Sequence, residues 1–224
     1  LVPFANAVRS LAGLPPLPDP VPNGFVAGDL ASSGVPAELV LSAFRRRNEH
    51  IEAFEYVVGN APGLASDAIR DAAPQYIASG MTKRMLRQIE MLPVTERRRS
   101  DDLMRWWFAA AISENCHGSV RSEVENVLES REAAELRALY AAAFPGPELL
   151  LETQRAVTAL RTPVTLRMHG FALGMQSDGD TGITFLLRAL RLSEALADPD
   201  QVVGAATDIA NYYIGRGHYQ DGAE

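Results

Sequence analysis

The sequence predicts an all-α protein, and three observations carry that expectation. From Pro36 onward apolar residues recur at helical spacing. Strand-like alternation bounded by turn residues is nearly absent. The helical segments are joined by short links, which make successive helices antiparallel neighbours. Pro36 suits the first position of a helix, because its missing N–H would be unsatisfied there anyway. The pattern places helices at 36–58, 66–79, 81–92, 100–114, 119–143 (either continuous or broken near Ser130), 147–160, 163–176, 181–197 and 200–215.

Three regions follow. Residues 1–35 carry Pro15, Pro16, Pro18, Pro20 and Pro22 with Gly24, Gly28 and Gly34. Proline removes backbone donors and blocks helix interiors, so this stretch reads as an extended Pro/Gly-rich arm. Its Leu, Val and Phe residues suit packing across the helical body; a polyproline ligand for another domain is the competing reading. Residues 36–145 form a helical domain, either a bundle or divergent repeats, and 146–224 form helix pairs stacked as an α-solenoid.

The 224 residues, 47% of them hydrophobic, can bury a substantial core as one large domain or two small ones. A formal net charge of −7 argues against tracking nucleic acid or an anionic membrane. The single cysteine, Cys116, excludes an internal disulfide framework and fits a reducing cytoplasm. Apolar runs fall short of the roughly 20 residues that cross a bilayer. The start, Leu1-Val2-Pro3-Phe4, lacks the layout of a secretory signal. Of the 21 basic residues only Lys83 is a lysine, a bias that fits a GC-rich bacterial genome. Opening on Leu1 and closing where a helix begins at Tyr219–Glu224, the sequence reads as a segment of a longer protein whose repeats continue past Glu224.

The stretch Asp208 to Ala223 resembles the first helix and turn of a tetratricopeptide repeat. In that family a large apolar residue, a small residue, an aromatic, a turn glycine, a second aromatic and a second small residue recur; here Ile209, Ala210, Tyr213, Gly217, Tyr219 and Gly222 hold those places. Small residues let helices approach, aromatics fill the groove between them, and glycine accepts the positive φ that ends a helix. Shifted back by 38 residues, Gly217 falls on Gly179, Tyr213 on Met175, Ile209 on Phe171 and Ala210 on Ala172. Leu186 to Pro199 looks like the second helix of a repeat, closing at Asp198-Pro199. Thr181 and Thr184 depart from the pattern, and the resemblance covers roughly 60 to 75 residues.

Other constellations weigh less. Asp178-Gly179-Asp180-Thr181-Gly182 resembles an Asp-x-Asp-x-Thr phosphotransfer motif, but Gly182 stands where the motif needs Thr, and the repeat puts an interhelical turn there. Glu49, Glu52 and Glu55, with His50 nearby, share one helical face that could contribute to a carboxylate-bridged metal site, together with the Glu-x-x-His pair Glu114 and His117. A solvated face offset by Arg45, Arg46 and Arg47 is the plainer reading, and no metal or cofactor is assigned. Cys116-His117 lacks an orienting third group, and a buried Cys beside a helix end is expected. His117, His169 and His218 read as capping or packing residues. Trp106-Trp107-Phe108 is expected to serve the core, with at least one ring free to reach a domain junction. Ser100 caps the helix that follows Arg97-Arg98-Arg99, and Asp101 and Asp102 suit its positive end.

The resemblance implies a non-enzymatic interaction or regulatory module of a larger bacterial cytoplasmic protein, binding a peptide or protein segment, with neither nucleic acid nor membrane as partner. Repeats of this kind present a concave surface built from first helices, which makes Arg167, Phe171, Asn211 and Tyr212 the candidate contacts. An open repeat end also allows self-association as a homodimer. Two alternatives stand beside it. One is the N-terminal sensory region of a signalling enzyme, such as a nucleotide cyclase, or of a transcription regulator. The other is a helical secreted effector or metal enzyme using the 49–55 carboxylate face.

Overall fold

The computed structural model describes residues 35–175 and 179–215. All regular structure among them is helical. The chain runs α1 (Ala37–Arg46), α2 (His50–Asn60), a 3-10 turn (Pro62–Leu64), α3 (Ala65–Ala78), α4 (Thr82–Met91), α5 (Val94–Arg99), α6 (Asp101–Ser113), α7 (His117–Ser130), α8 (Ala134–Ala143), α9 (Leu149–Ala159), α10 (Pro163–Met175), α11 (Gly179–Ala195) and α12 (Pro199–Gly215). The Pro/Gly-rich arm expected over 1–35 lies outside the described residues, apart from its last, the buried Val35.

Two compact units form, Leu1–Ala110 and Ala111–Glu224, so the division falls within α6 and not at 145/146. In the second unit α8 shares a core with later helices: Ala134 and Ala138 pack with Ala156 of α9 and with Val164 and Met168 of α10. That shared burial ties residues before 146 to those after it.

In the first unit α1 buries Val40, Leu41, Ala43 and Phe44. The helix expected to continue over 36–58 ends instead at Arg46. Asn48 takes φ 59°, and the Glu49 N–H reaches back to the Phe44 carbonyl at 3.1 Å. This is the Schellman closure, and asparagine is the non-glycine residue that best tolerates its left-handed position. Gly80 after α3 and Asn115 after α6 repeat the device. The core then closes around Phe54 of α2 and Tyr76 of α3, whose rings meet edge-on at 6.3 Å. Trp106, Trp107 and Phe108 are all buried, and the Arg97 guanidinium lies 4.4 Å above the Trp107 ring.

In the second unit 119–143 takes the broken form of the two expected, as helices α7 and α8, because Arg131 is extended. The hub is α10, which buries residues on every side, from Pro163 through Leu173. Its start is fixed by Thr162 and Thr165, each accepting a hydrogen bond from the other's backbone N–H. Helix α10 contacts α8, α9, α11 and α12. The contact with α11 is closest at glycine: a Cβ on Gly182 would stand 2.9 Å from the Gly170 carbonyl oxygen and 3.0 Å from the Gly174 nitrogen. Gly179 and Asp180 therefore belong to the first turn of α11 and not to an interhelical turn. Asp198-Pro199 opens α12 more than it closes α11: the Asp198 carboxylate accepts from the Gln201 N–H at 3.2 Å and Pro199 takes the first helical position.

Candidate functional site

A cleft of about 290 Å³ opens between α10 and α12. Gly170, Gly174 and Leu186 line it together with Phe171, Met175, Tyr212, Asp208 and Asn211. Spacing explains the gathering: Phe171 and Met175, like Asp208 and Tyr212, are four apart and share a helix face. The Tyr212 ring lies over position 174, where a Cβ would be in ordinary contact, 3.8 Å from Tyr212 Cδ2. Phe171 is 36% exposed and Met175 58%. Such a wall leaves apolar surface in water that a partner side chain would cover.

Of the four contacts expected from sequence, Phe171, Asn211 and Tyr212 line this one cleft. Arg167, one turn before Phe171, does not line it. Its Nε is 3.2 Å from Asp208 Oδ2 and its Nη1 donates to Gln201 Oε1 at 3.2 Å. The guanidinium rests where a Cβ at Gly204 would be, only 2.0 Å from Nη1. Burial lowers the pKa of Arg167 and raises that of Asp208, while each opposes the other's shift by attraction. Arg167 is thus a latch between α10 and α12 instead of a free contact. Sequence reasoning missed Asp208, although its position four before Tyr212 was the available signal.

A second cleft, about 540 Å³, is lined by residues of α7, α8, α9 and the link before α9. Several of its charged groups pair with one another. Arg121 Nε donates to Glu125 Oε1 at 2.8 Å, and the Tyr140 hydroxyl donates to the same oxygen. Arg137 donates to Glu152 at 2.7 Å and to the Leu128 carbonyl at 3.1 Å. The Tyr140 hydrogen bond and Arg121 hold Glu125 below the usual carboxylate range, and burial with Glu125 pushes Tyr140 up. Both shifts move these groups away from the neutral range in which general acids and bases work best.

The remaining motifs resolve in the same way. Glu55 is held by Arg84, at 2.6 and 2.7 Å, and by the Tyr76 hydroxyl at 2.9 Å. Glu49 pairs with Arg47 at 2.8 Å, while Arg45 turns away to Asp71. No group of three His, Cys, Asp or Glu suited to a metal is found among the described residues. Cys116 is half-buried, not buried, because it precedes α7 at a turn. His169 is 1% exposed, its Nδ1 is 3.1 Å from Thr153 Oγ1, and its ring meets Phe185 edge-on at 4.7 Å. Burial lowers its pKa, so it packs as a neutral ring. The His117 ring lies 5.3 Å from that of Phe144. Asp178 and His218 lie outside the described residues, as do Gly217, Tyr219 and Gly222 of the repeat pattern; Asp180 begins a helix where phosphotransfer chemistry would need a strand end.

Fold and cleft together define an all-α protein with an open, mainly apolar groove between two helices of its second unit. No described helix is long and apolar enough to cross a membrane. Set against protein-family models, curated proteins and solved structures, the chain matches none.

Proposed function

We propose that the second unit is a tetratricopeptide-like helical-repeat module that binds a peptide or protein segment in the α10–α12 cleft, as an interaction or regulatory part of a larger bacterial cytoplasmic protein. The observation that carries this reading is the convergence of Phe171, Met175 and Tyr212 on one open cleft with the polar groups of Asp208 and Asn211 at its side. Its volume is near the lower end of ligand sites, about 300 Å³, and suits one or two side chains of a chain segment better than a bulky cofactor. Contacts of α8 with α10, and of α10 with α12, support a stack in which every second helix meets.

Display of a random peptide library against the purified chain tests the reading. We expect enriched peptides to share an aliphatic or aromatic anchor, and the combined substitution Phe171→Ser, Asn211→Ala, Tyr212→Ala to abolish their capture while leaving the helical circular dichroism intact. Enrichment of peptides that the triple variant still holds would place recognition elsewhere and overturn the proposal.

A further inference from the structure

The charge of the chain is unevenly divided. Residues 1–110 contain 12 acidic and 12 basic side chains, whereas residues 111–224 contain 16 acidic and 9 basic. The whole formal charge of −7 therefore belongs to the unit that carries the α10–α12 cleft.

Within the cleft the same sign recurs. Asp208 is the one acidic or basic residue of its lining. Arg167 Nε stands 3.2 Å from Asp208 Oδ2 without an aligned hydrogen bond. One Arg167 nitrogen is committed to Gln201. Burial raises the Asp208 pKa further than Arg167 lowers it, so the carboxylate is under-compensated and gains from a further donor. The Asn211 amide, exposed three residues on, adds an acceptor on the same helix face.

Resting on the peptide-binding reading above, we propose that the cleft receives a basic peptide segment: an aliphatic or aromatic side chain seats between Phe171, Met175 and Tyr212, and a neighbouring Arg or Lys meets Asp208 and Asn211. The acidic unit attracts such a segment at long range, and the half-buried carboxylate selects it at contact. An acidic segment would face the like net charge of this unit.

The test uses fluorescein-labelled peptide pools with a Leu or Phe anchor flanked by Arg, Gln or Glu, and a fourth pool with Arg flanking Ser. Each is titrated by anisotropy against the full chain and against Phe171→Ser, Asp208→Asn and Asn211→Asp. We expect the Arg-flanked anchor to bind about tenfold tighter than the Gln-flanked one, with the Glu-flanked one weakest. Asp208→Asn should erase most of that preference. Asn211→Asp, at an exposed position that leaves folding alone, should enlarge it. Equal binding of Arg- and Gln-flanked anchors, or equal binding of the Arg-flanked Ser pool, would overturn the basic-segment proposal while Phe171 dependence keeps the cleft reading alive. Loss of Phe171 dependence in every pool would overturn both.

Discussion

Two clefts of the second unit, α7–α9 and α10–α12, differ in how their walls are satisfied. The α7–α9 cleft is the larger, yet Arg121, Glu125 and Tyr140 answer one another, as do Arg137 and Glu152. The α10–α12 cleft is smaller, but Phe171 and Met175 remain in water, and its one carboxylate has an imperfect partner. Volume and exposed apolar wall therefore rank these two sites in opposite orders. A ligand gains binding energy where the protein has left surface or charge uncompensated, and opening an internal ion-pair network to admit a ligand would cost what the ligand returned.

The strongest way to break the comparison is at the glycine contact beside the α10–α12 cleft alone. Gly182→Val drives a branched side chain into the α10 backbone, against Gly170 and Gly174, and should lower stability by about 3 kcal/mol in urea denaturation. Hydrogen exchange should then rise first in α10 to α12 and leave α7 comparatively protected. An unchanged urea midpoint would show that α10 and α11 are not held that closely.

A smaller effect comes from His169, which links Thr153 of α9 to Phe185 of α11. Its folded pKa lies below the ordinary histidine value, so the unfolded chain binds the extra proton. Stability should therefore fall as pH drops through the ordinary histidine range, by at most about 1.4 kcal/mol per pH unit from this group. His169→Gln should flatten that slope between neutral and mildly acid pH. An identical slope in the variant would assign the dependence to other groups.

The comparison is sharpened, with the least effect, at Ala197. This residue ends α11 with φ 51°, a left-handed conformation that costs an alanine about 1 kcal/mol and a glycine almost nothing. Ala197→Gly should raise stability by up to about 1 kcal/mol without altering the α7–α9 cleft. A loss of stability would mean that backbone freedom in the unfolded chain outweighs the relieved strain.

Much of this architecture was legible in the sequence. Helical spacing located most helices, whereas Gly170, Gly174 and Gly182, where α10 and α11 approach most closely, are not the small positions of the repeat pattern. The missed break after α1 was also legible in principle, since Asn48 is a residue suited to the left-handed cap. The repeat resemblance placed Phe171, Asn211 and Tyr212 among the candidate contacts, and Arg167 with them, whose long side chain instead reaches Asp208 on another helix. Spacing could not tell that Glu55 is occupied by Arg84 and Tyr76, residues of two different helices.

The sequence by itself determined the helical class, the short links, and the faces along which helices meet, because those follow from periodicity and local backbone preference. Only the tertiary structure decided which polar groups answer one another, where the units divide, and which of two clefts keeps its apolar wall open. Those outcomes depend on side chains far apart in the chain arriving within a few ångströms, and periodicity carries no information about which distant partner will be there.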